Sequence, residues 1–294
     1  RAAAAGPFPF HRRGMPYPSA MSRSRRPRPA LHAGLLLTVA GALCGSAQAE
    51  PVDVELILAV DVSLSMSPDE LAIQRDGYAA ALKHRDVIRA IESGMHGKIA
   101  LTYVEWAGAD VQHVIVPWTI VAGAEDARQV AEKLTLSPPN SARRTSISGA
   151  LHFAGDLFAE SPHRGMRRVV DVSGDGPNNQ GTPVSDARDA LVSQGITING
   201  LPLMTTSGFG GRFEISDLDA YYRDCVIGGP GAFMIPVNDW SQFPEAVRRK
   251  LVLELAGDAR PGGRLPVLRA AVEMGGSDCM VGEKMWLNRS WMWE

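Results

Sequence analysis

Asp61-Val62-Ser63-Leu64-Ser65 sets a carboxylate and two hydroxyls at alternate positions, so the three side chains can point the same way from one strand end. Two later loops offer a further hydroxyl and a further carboxylate, Thr145 and Asp175-Gly176. Small oxygen ligands of this kind suit a hard divalent cation, Mg²⁺ first, with Mn²⁺ or Ca²⁺ as alternatives. Asp61, Ser63, Ser65, Thr145 and Asp175 are therefore the candidate metal residues. Ser63, Ser65 and Thr145 are neutral donors, which leaves much of the ion's charge available to an external carboxylate in an open position. That chemistry describes a grip more readily than a catalyst. Two other readings use the same residues. A metal-dependent hydrolase would employ the ion as a Lewis acid, with Asp175 or Asp171 as base. A hydroxyl-rich turn capping a helix, with a vestigial site, would make the protein a structural scaffold.

The elements that must carry these residues follow from the hydrophobic pattern. Val54 to Val60 is an apolar run with almost no polar alternation, the signature of a parallel strand buried on both faces. It delivers Asp61 at its carboxyl end, where open α/β sheets bind ligands. Ser67, Pro68 and Glu70 read as N-cap, N1 and N3 of the next helix, with serine and glutamate satisfying each other's backbone donors. Leu71, Gln74-Arg75, Tyr78 and Leu82 recur at helical spacing over Pro68 to about His84. A short helix over Arg85 to Ser93 comes next. Strands are expected at Lys98–Ala107 and Val111–Val121, close enough to form a hairpin, with Pro117 marking an edge or a bend.

Helices are then expected at Glu125–Leu134 and Ile147–Glu160, the second entered through Thr145. A strand over Arg167–Val172 runs out into Ser173-Gly174-Asp175-Gly176. A helix over Pro183–Gln194 with Thr182 as cap, a strand over Ile196–Leu203, a short helix over Ser216–Cys225 and a strand over Ala232–Val237 complete the alternation. Asp239 to Leu255 reads as a last amphipathic helix with Asp239 as N-cap. Alternating strands and helices imply an α/β fold: a doubly wound, mostly parallel sheet, helices on both faces, one antiparallel edge strand.

Charge and composition narrow the partners. The 294 residues carry a net charge of −2, but the seven arginines of residues 1–49 stand without an acidic residue among them. Without those seven, 23 basic residues face 32 acidic ones, a net of −9 over residues 50–294. An acidic body argues against nucleic acid, which needs clustered Lys and Arg.

The basic stretch Ser22–Arg28, the apolar run Ala33–Cys44 and the small residues of Ala47-Gln48-Ala49 read as a cleavable signal peptide with cleavage after Ala49. The apolar run is about a dozen residues, short of the roughly 20 that a spanning helix needs. A periplasmic or secreted protein with no stable membrane anchor after cleavage is the expectation. Residues 1–20 read as a non-native leader, 21–49 as the signal segment, 50–257 as one domain and 258–294 as a tail of uncertain structure, opened by Pro261-Gly262-Gly263-Arg264. Cys44 leaves with the signal, so Cys225 and Cys279 remain; a disulfide between them and an unpaired buried Cys225 both stay open.

No Gly-x-Ser-x-Gly elbow, His-Glu-x-x-His, Walker loop or Gly-x-Gly-x-x-Gly occurs in the sequence. The histidines show no ligand spacing. Gly208–Gly211 and Gly228–Gly231 are Gly-rich, but neither runs from a strand directly into a helix start, so both read as loops.

The order Asp-x-Ser-x-Ser, then Thr, then Asp-Gly after a later strand resembles the metal-ion-dependent adhesion site of von Willebrand factor type A domains. The resemblance covers about residues 52–256. It implies the three-layer α/β fold, contact of Ser63, Ser65 and Thr145 with the ion, and Asp61 and Asp175 holding it directly or through water. It also implies a binding mode but not a partner; the site residues themselves lead to the expectation of a protein partner whose Asp or Glu completes the coordination, and of no catalysis. Asp171 competes with Asp175 for the last role, but it lies inside the strand and only Asp175 is followed by glycine. Ala59-Val60-Asp61-Val62-Ser63, Val172–Gly176, Asn199-Gly200-Leu201-Pro202, Tyr221-Tyr222-Arg223 and Gly228–Phe233 further resemble one uncharacterised, secreted bacterial branch of that superfamily.

Overall fold

The computed structural model describes residues 49–138, 140–205, 215–256, 268–269 and 276–290, all within one compact unit, Ala47–Glu294. The expected leader, the signal segment up to Gln48, the Pro261–Arg264 linker and the Gly208–Gly211 loop lie outside the described residues. Among the described residues no helix is long and apolar enough to cross a membrane.

Among the described residues seven strands form one sheet: β1 (Glu50–Asp61), β2 (Ile99–Trp106), β3 (Gln112–Val121), β4 (His163–Gly174), β5 (Thr197–Pro202), β6 (Phe233–Met234) and β7 (Leu268–Arg269). Their order across the sheet is β3-β2-β1-β4-β5-β6-β7. β1 pairs in parallel with both β2 and β4, and β4–β5 and β5–β6 are parallel too. β3 runs antiparallel to β2 at one edge, as the hairpin spacing implies. Its register shifts between Leu101↔Thr119 and Tyr103↔Val116, so the extra residue falls at Pro117-Trp118, where proline cannot donate to the ladder. The short β7 adds a second antiparallel pairing at the opposite edge. The sequence gives no sign of it, because two residues carry no period.

The described residues also form eight α-helices that flank the sheet: α1 (Pro68–Leu82), α2 (Arg85–Glu92), α3 (Ala124–Leu136), α4 (Ile147–Ala159), α5 (Val184–Val192), α6 (Leu218–Tyr221), α7 (Phe243–Ala256) and α8 (Val281–Ser290). The apolar run of β1 divides by parity. Val54, Leu56, Leu58 and Val60 join a core with α1, α2, α3 and α7, while Ile57 and Ala59 join a second core with α4, α5 and the segment after α6. A strand sandwiched between two helix layers needs apolar residues at every position, which is why the run does not alternate.

Local chemistry sets the helix starts. At α1 the Ser67 N–H donates to Glu70 Oε2 at 2.7 Å and the Glu70 N–H to Ser67 Oγ at 3.3 Å, the reciprocal cap expected from the sequence. α5 departs from expectation: Pro183, not Thr182, stands at its N-cap, and the Thr182 hydroxyl pairs with His152 Nε2 at 2.9 Å instead. Asp239 caps a 3₁₀ turn, Trp240–Gln242, that leads into α7. α6 passes into a π-helical turn, Tyr222–Val226, an irregularity that no helical period announces.

Candidate metal site

β1 and β4 are neighbours, yet β1 leads toward β2 on one side and the chain reaches β4 only afterwards on the other. Their carboxyl ends thus flank a topological switch point, where connecting loops diverge and leave a crevice. Asp61 ends β1 and Asp175 follows β4 directly.

Four of the five candidate ligands are joined by hydrogen bonds. The Ser63 N–H donates to Asp61 Oδ1 at 2.7 Å, which folds the loop back on the strand end. Ser63 Oγ and Ser65 Oγ lie 2.8 Å apart, and Ser65 Oγ donates to Asp175 Oδ1 at 2.8 Å. Thr145 sits on an adjoining loop that is stitched to the first: the Leu64 N–H donates to Ala142 O at 2.8 Å and the Ala142 N–H to Val62 O at 3.2 Å. It is stitched to the third as well, since the Thr145 N–H donates to Asn179 Oδ1 at 3.0 Å and the Asn179 N–H returns to Thr145 O at 2.8 Å. From α1, Gln74 Nε2 donates to Asp61 O at 3.1 Å and fixes the strand end from below.

The electrostatics are those of a carboxylate short of positive charge. Asp61 is fully buried, and its Oδ2 has no hydrogen-bond partner among the described residues. Burial first, and then the neighbouring Asp175, push the Asp61 carboxyl well above the ordinary carboxylate range. The Tyr222 hydroxyl, also buried, is pushed up by burial and then by Asp61 and Asp175. Gly174 makes room for this crowding: a Cβ there would stand 2.9 Å from Tyr222 OH and 3.0 Å from Asp61 Oδ2. A buried, unpaired carboxylate oxygen beside two hydroxyls and a second carboxylate fits a hard divalent cation by donor type. Among the described residues no group of three or more His, Cys, Asp or Glu could hold a metal, so any such ion depends on the hydroxyls.

Asp171 takes a different role. Its carboxylate faces α7, where Lys250 Nζ lies 2.7 Å from Oδ1 and 2.5 Å from Glu254 Oε1. Asn199 Nδ2 donates to that same glutamate oxygen at 2.9 Å. Arg143 is exposed, whereas the Arg144 guanidinium lies 3.1 Å above the Trp286 ring, and Arg144 is the single non-glycine residue with positive φ, 76°, among those described.

Several residues of the site escaped the sequence reading. Asn178 is fully buried and holds the Asp175 loop at four points. Its N–H donates to Tyr221 OH at 3.1 Å, its Oδ1 accepts from the Ser148 N–H at 2.9 Å, and its Nδ2 donates to Thr182 O at 3.2 Å and Glu283 Oε1 at 2.6 Å. The run Pro177-Asn178-Asn179 after a strand end was the available signal, because asparagine side chains replace missing backbone partners in turns. Of the two alternatives open for the cysteines, the disulfide is the one formed: Cys225 and Cys279 are bonded with a Cα–Cα distance of 5.4 Å, and α8, just after Cys279, lies against the site.

The doubly wound sheet has the fold of von Willebrand factor type A domains, and solved structures share that fold. Proximal thread matrix protein 1 from the mussel byssus matches at a TM-score of 0.52 and 16% identity, over 71% of this chain and 49% of that one. The von Willebrand factor type A protein from Catenulispora acidiphila matches at 0.50 and 14%, over 70% and 43%. The pilus adhesin SpaC from Lactobacillus rhamnosus GG matches at 0.50 and 10%, over 71% and 31%. At such identities the likeness is one of fold, and the chain spans less than half the length of each. No curated protein matches the chain. Residues 51–259 match the family described as Protein of unknown function (DUF1194), and the chain belongs to that family.

Proposed function

We propose that this protein is an exported binding module that engages a protein partner through a divalent ion held by Asp61, Ser63, Ser65, Thr145 and Asp175. The observation that carries the reading is the buried, unpartnered Asp61 Oδ2 beside the Ser63–Ser65–Asp175 relay. A bound Mg²⁺, Mn²⁺ or Ca²⁺ supplies a hard Lewis-acid centre for an external carboxylate. Asp61 and Asp175 offer the anionic oxygens, and Ser63, Ser65 and Thr145 offer neutral ones. The partner's Asp or Glu then meets an incompletely neutralised charge. Asp171 gives little support to a hydrolase, since Lys250 engages it on the opposite side of the strand. Export is supported by the basic-then-apolar segment before Ala49 and by the Cys225–Cys279 disulfide, a bond that persists in oxidising compartments.

The test is a calorimetric titration of Mg²⁺, Mn²⁺ and Ca²⁺ into wild type, Asp61→Ala and Ser63→Ala, followed by capture from an envelope extract with and without chelator. The expected outcome is ion binding that both substitutions weaken, and a captured protein released by chelator. Ion binding indifferent to both substitutions would remove these residues from the account. Phosphatase or esterase activity lost in Asp61→Ala would replace binding with catalysis.

A further inference from the structure

Resting on the metal-site reading, we propose that α8 is a clip that sets the ion affinity of the site by holding two of its ligand loops together, with Glu283 as the positioning residue. One helix touches both loops. Glu283 Oε1 accepts from Asn178 Nδ2 at 2.6 Å, on the loop that begins with Asp175. Trp286, one turn on, carries the Arg144 guanidinium on its ring, and Arg144 immediately precedes Thr145. Gly282 brings the helix backbone against the same asparagine, so closely that a Cβ there would overlap the Asn178 carbonyl oxygen.

The helix is itself anchored to the site's floor. Cys279, just before α8, is bonded to Cys225 in the π-helical turn. That turn follows Tyr221, whose hydroxyl accepts from the Asn178 N–H, and contains Tyr222, whose hydroxyl faces Gly174 and Asp61. Ser277 adds a second tie, its N–H donating to Asp224 Oδ2 at 3.3 Å. Asn178 is therefore gripped from the floor by Tyr221 and from outside by Glu283. Removing the outer grip leaves the fold's core intact but lets the Asp175 loop drift relative to Ser65 and Thr145. Groups that orient metal ligands from behind typically govern affinity by about 10–100-fold.

The experiment measures Mn²⁺ affinity by calorimetry in the full chain for wild type, Glu283→Ala, Glu283→Gln, Gly282→Val and the Cys225→Ser/Cys279→Ser double variant. Melting in chelator checks that each variant is folded. Expected are dissociation constants raised about tenfold or more in Glu283→Ala, Gly282→Val and the double variant. Glu283→Gln, which keeps the acceptor for Asn178 Nδ2, restores near wild-type affinity. Unchanged affinity in folded Glu283→Ala and Gly282→Val, with wild type binding Mn²⁺, overturns the clip alone. No Mn²⁺ binding by wild type overturns the metal reading and the clip with it.

Discussion

Lys250, Asp171 and Glu254 place one ammonium between two carboxylates in the interior, and that arithmetic makes stability depend on pH. Lys250 and Glu254 side chains are fully inaccessible and Asp171 nearly so. With all three ionised the cluster holds a net negative charge in a medium that solvates it poorly. Burial first, then repulsion from Asp171, raise the Glu254 carboxyl from 4.5 to about 7, against the pull of Lys250 and Asn199. Because the folded value lies above the unfolded one, the associated stability is fully present below pH 4.5 and is lost as pH rises through about 7. A displacement of that size corresponds to about 3 kcal/mol, undiscounted because no solvent screens the group.

Glu254→Gln keeps the shape of the protonated acid and cannot ionise. Urea unfolding of both proteins should therefore show the wild type losing about 3 kcal/mol relative to the variant between about pH 4 and pH 8. Lys250→Met, by contrast, strands both carboxylates and should cost about 3–5 kcal/mol at neutral pH, less in acid. Parallel pH profiles for wild type and Glu254→Gln would refute the reasoning, since Glu254 would then ionise alike in both states.

An ion at the site should raise the melting temperature. At about a hundred times the dissociation constant the stabilisation is about 2.7 kcal/mol, or roughly 5–10 °C in a domain of this size, and Asp61→Ala should abolish it in a scanning fluorimetry assay. Gly174→Ala places a methyl 2.9 Å from Tyr222 OH and 3.0 Å from Asp61 Oδ2. It should cost about 1–3 kcal/mol in urea melts and weaken ion binding together. Replacing both Cys225 and Cys279 by serine opens a loop whose ends are 54 residues apart and should cost up to roughly 4 kcal/mol by the chain-entropy argument, read from denaturant midpoints.

The layered fold was legible wherever burial writes a period into the chain. β1 carries apolar residues at every position because helices cover both its faces, and α1 shows Leu71, Gln74-Arg75, Tyr78 and Leu82 on its buried side. Where tertiary contact replaces period, the sequence pattern no longer marks the elements. β4 extends from His163 rather than Arg167, because its first residues pair with Glu50, Pro51 and Val52 at the amino ends of the two strands, where exposure removes the need for an apolar run. Of the expected strand Ala232–Val237 only Phe233–Met234 pairs regularly, with a single bridge at Val237.

The candidate site divides along the same line. Asp61, Ser63 and Ser65 are near in sequence, and one loop brings them together by local bonding, so their spacing alone announced them. Asp171 and Asp175 posed the harder choice. Both occupy odd positions of one segment, and a continuous strand would point them to the same face. The chain leaves the strand after Gly174, however, and turns Asp175 toward Ser65, while Asp171 stays in register and meets Lys250 from α7. Only the Asp-Gly step hints at that turn. Asn178 carries only the mark of the Pro177-Asn178-Asn179 turn, and Glu283 and Trp286 carry none. The contacts of Glu283 and Trp286 close loops of more than about a hundred residues, and the physical reason for each residue type lies in its distant partner: a carboxylate accepting from the buried Asn178 amide, a ring beneath a guanidinium.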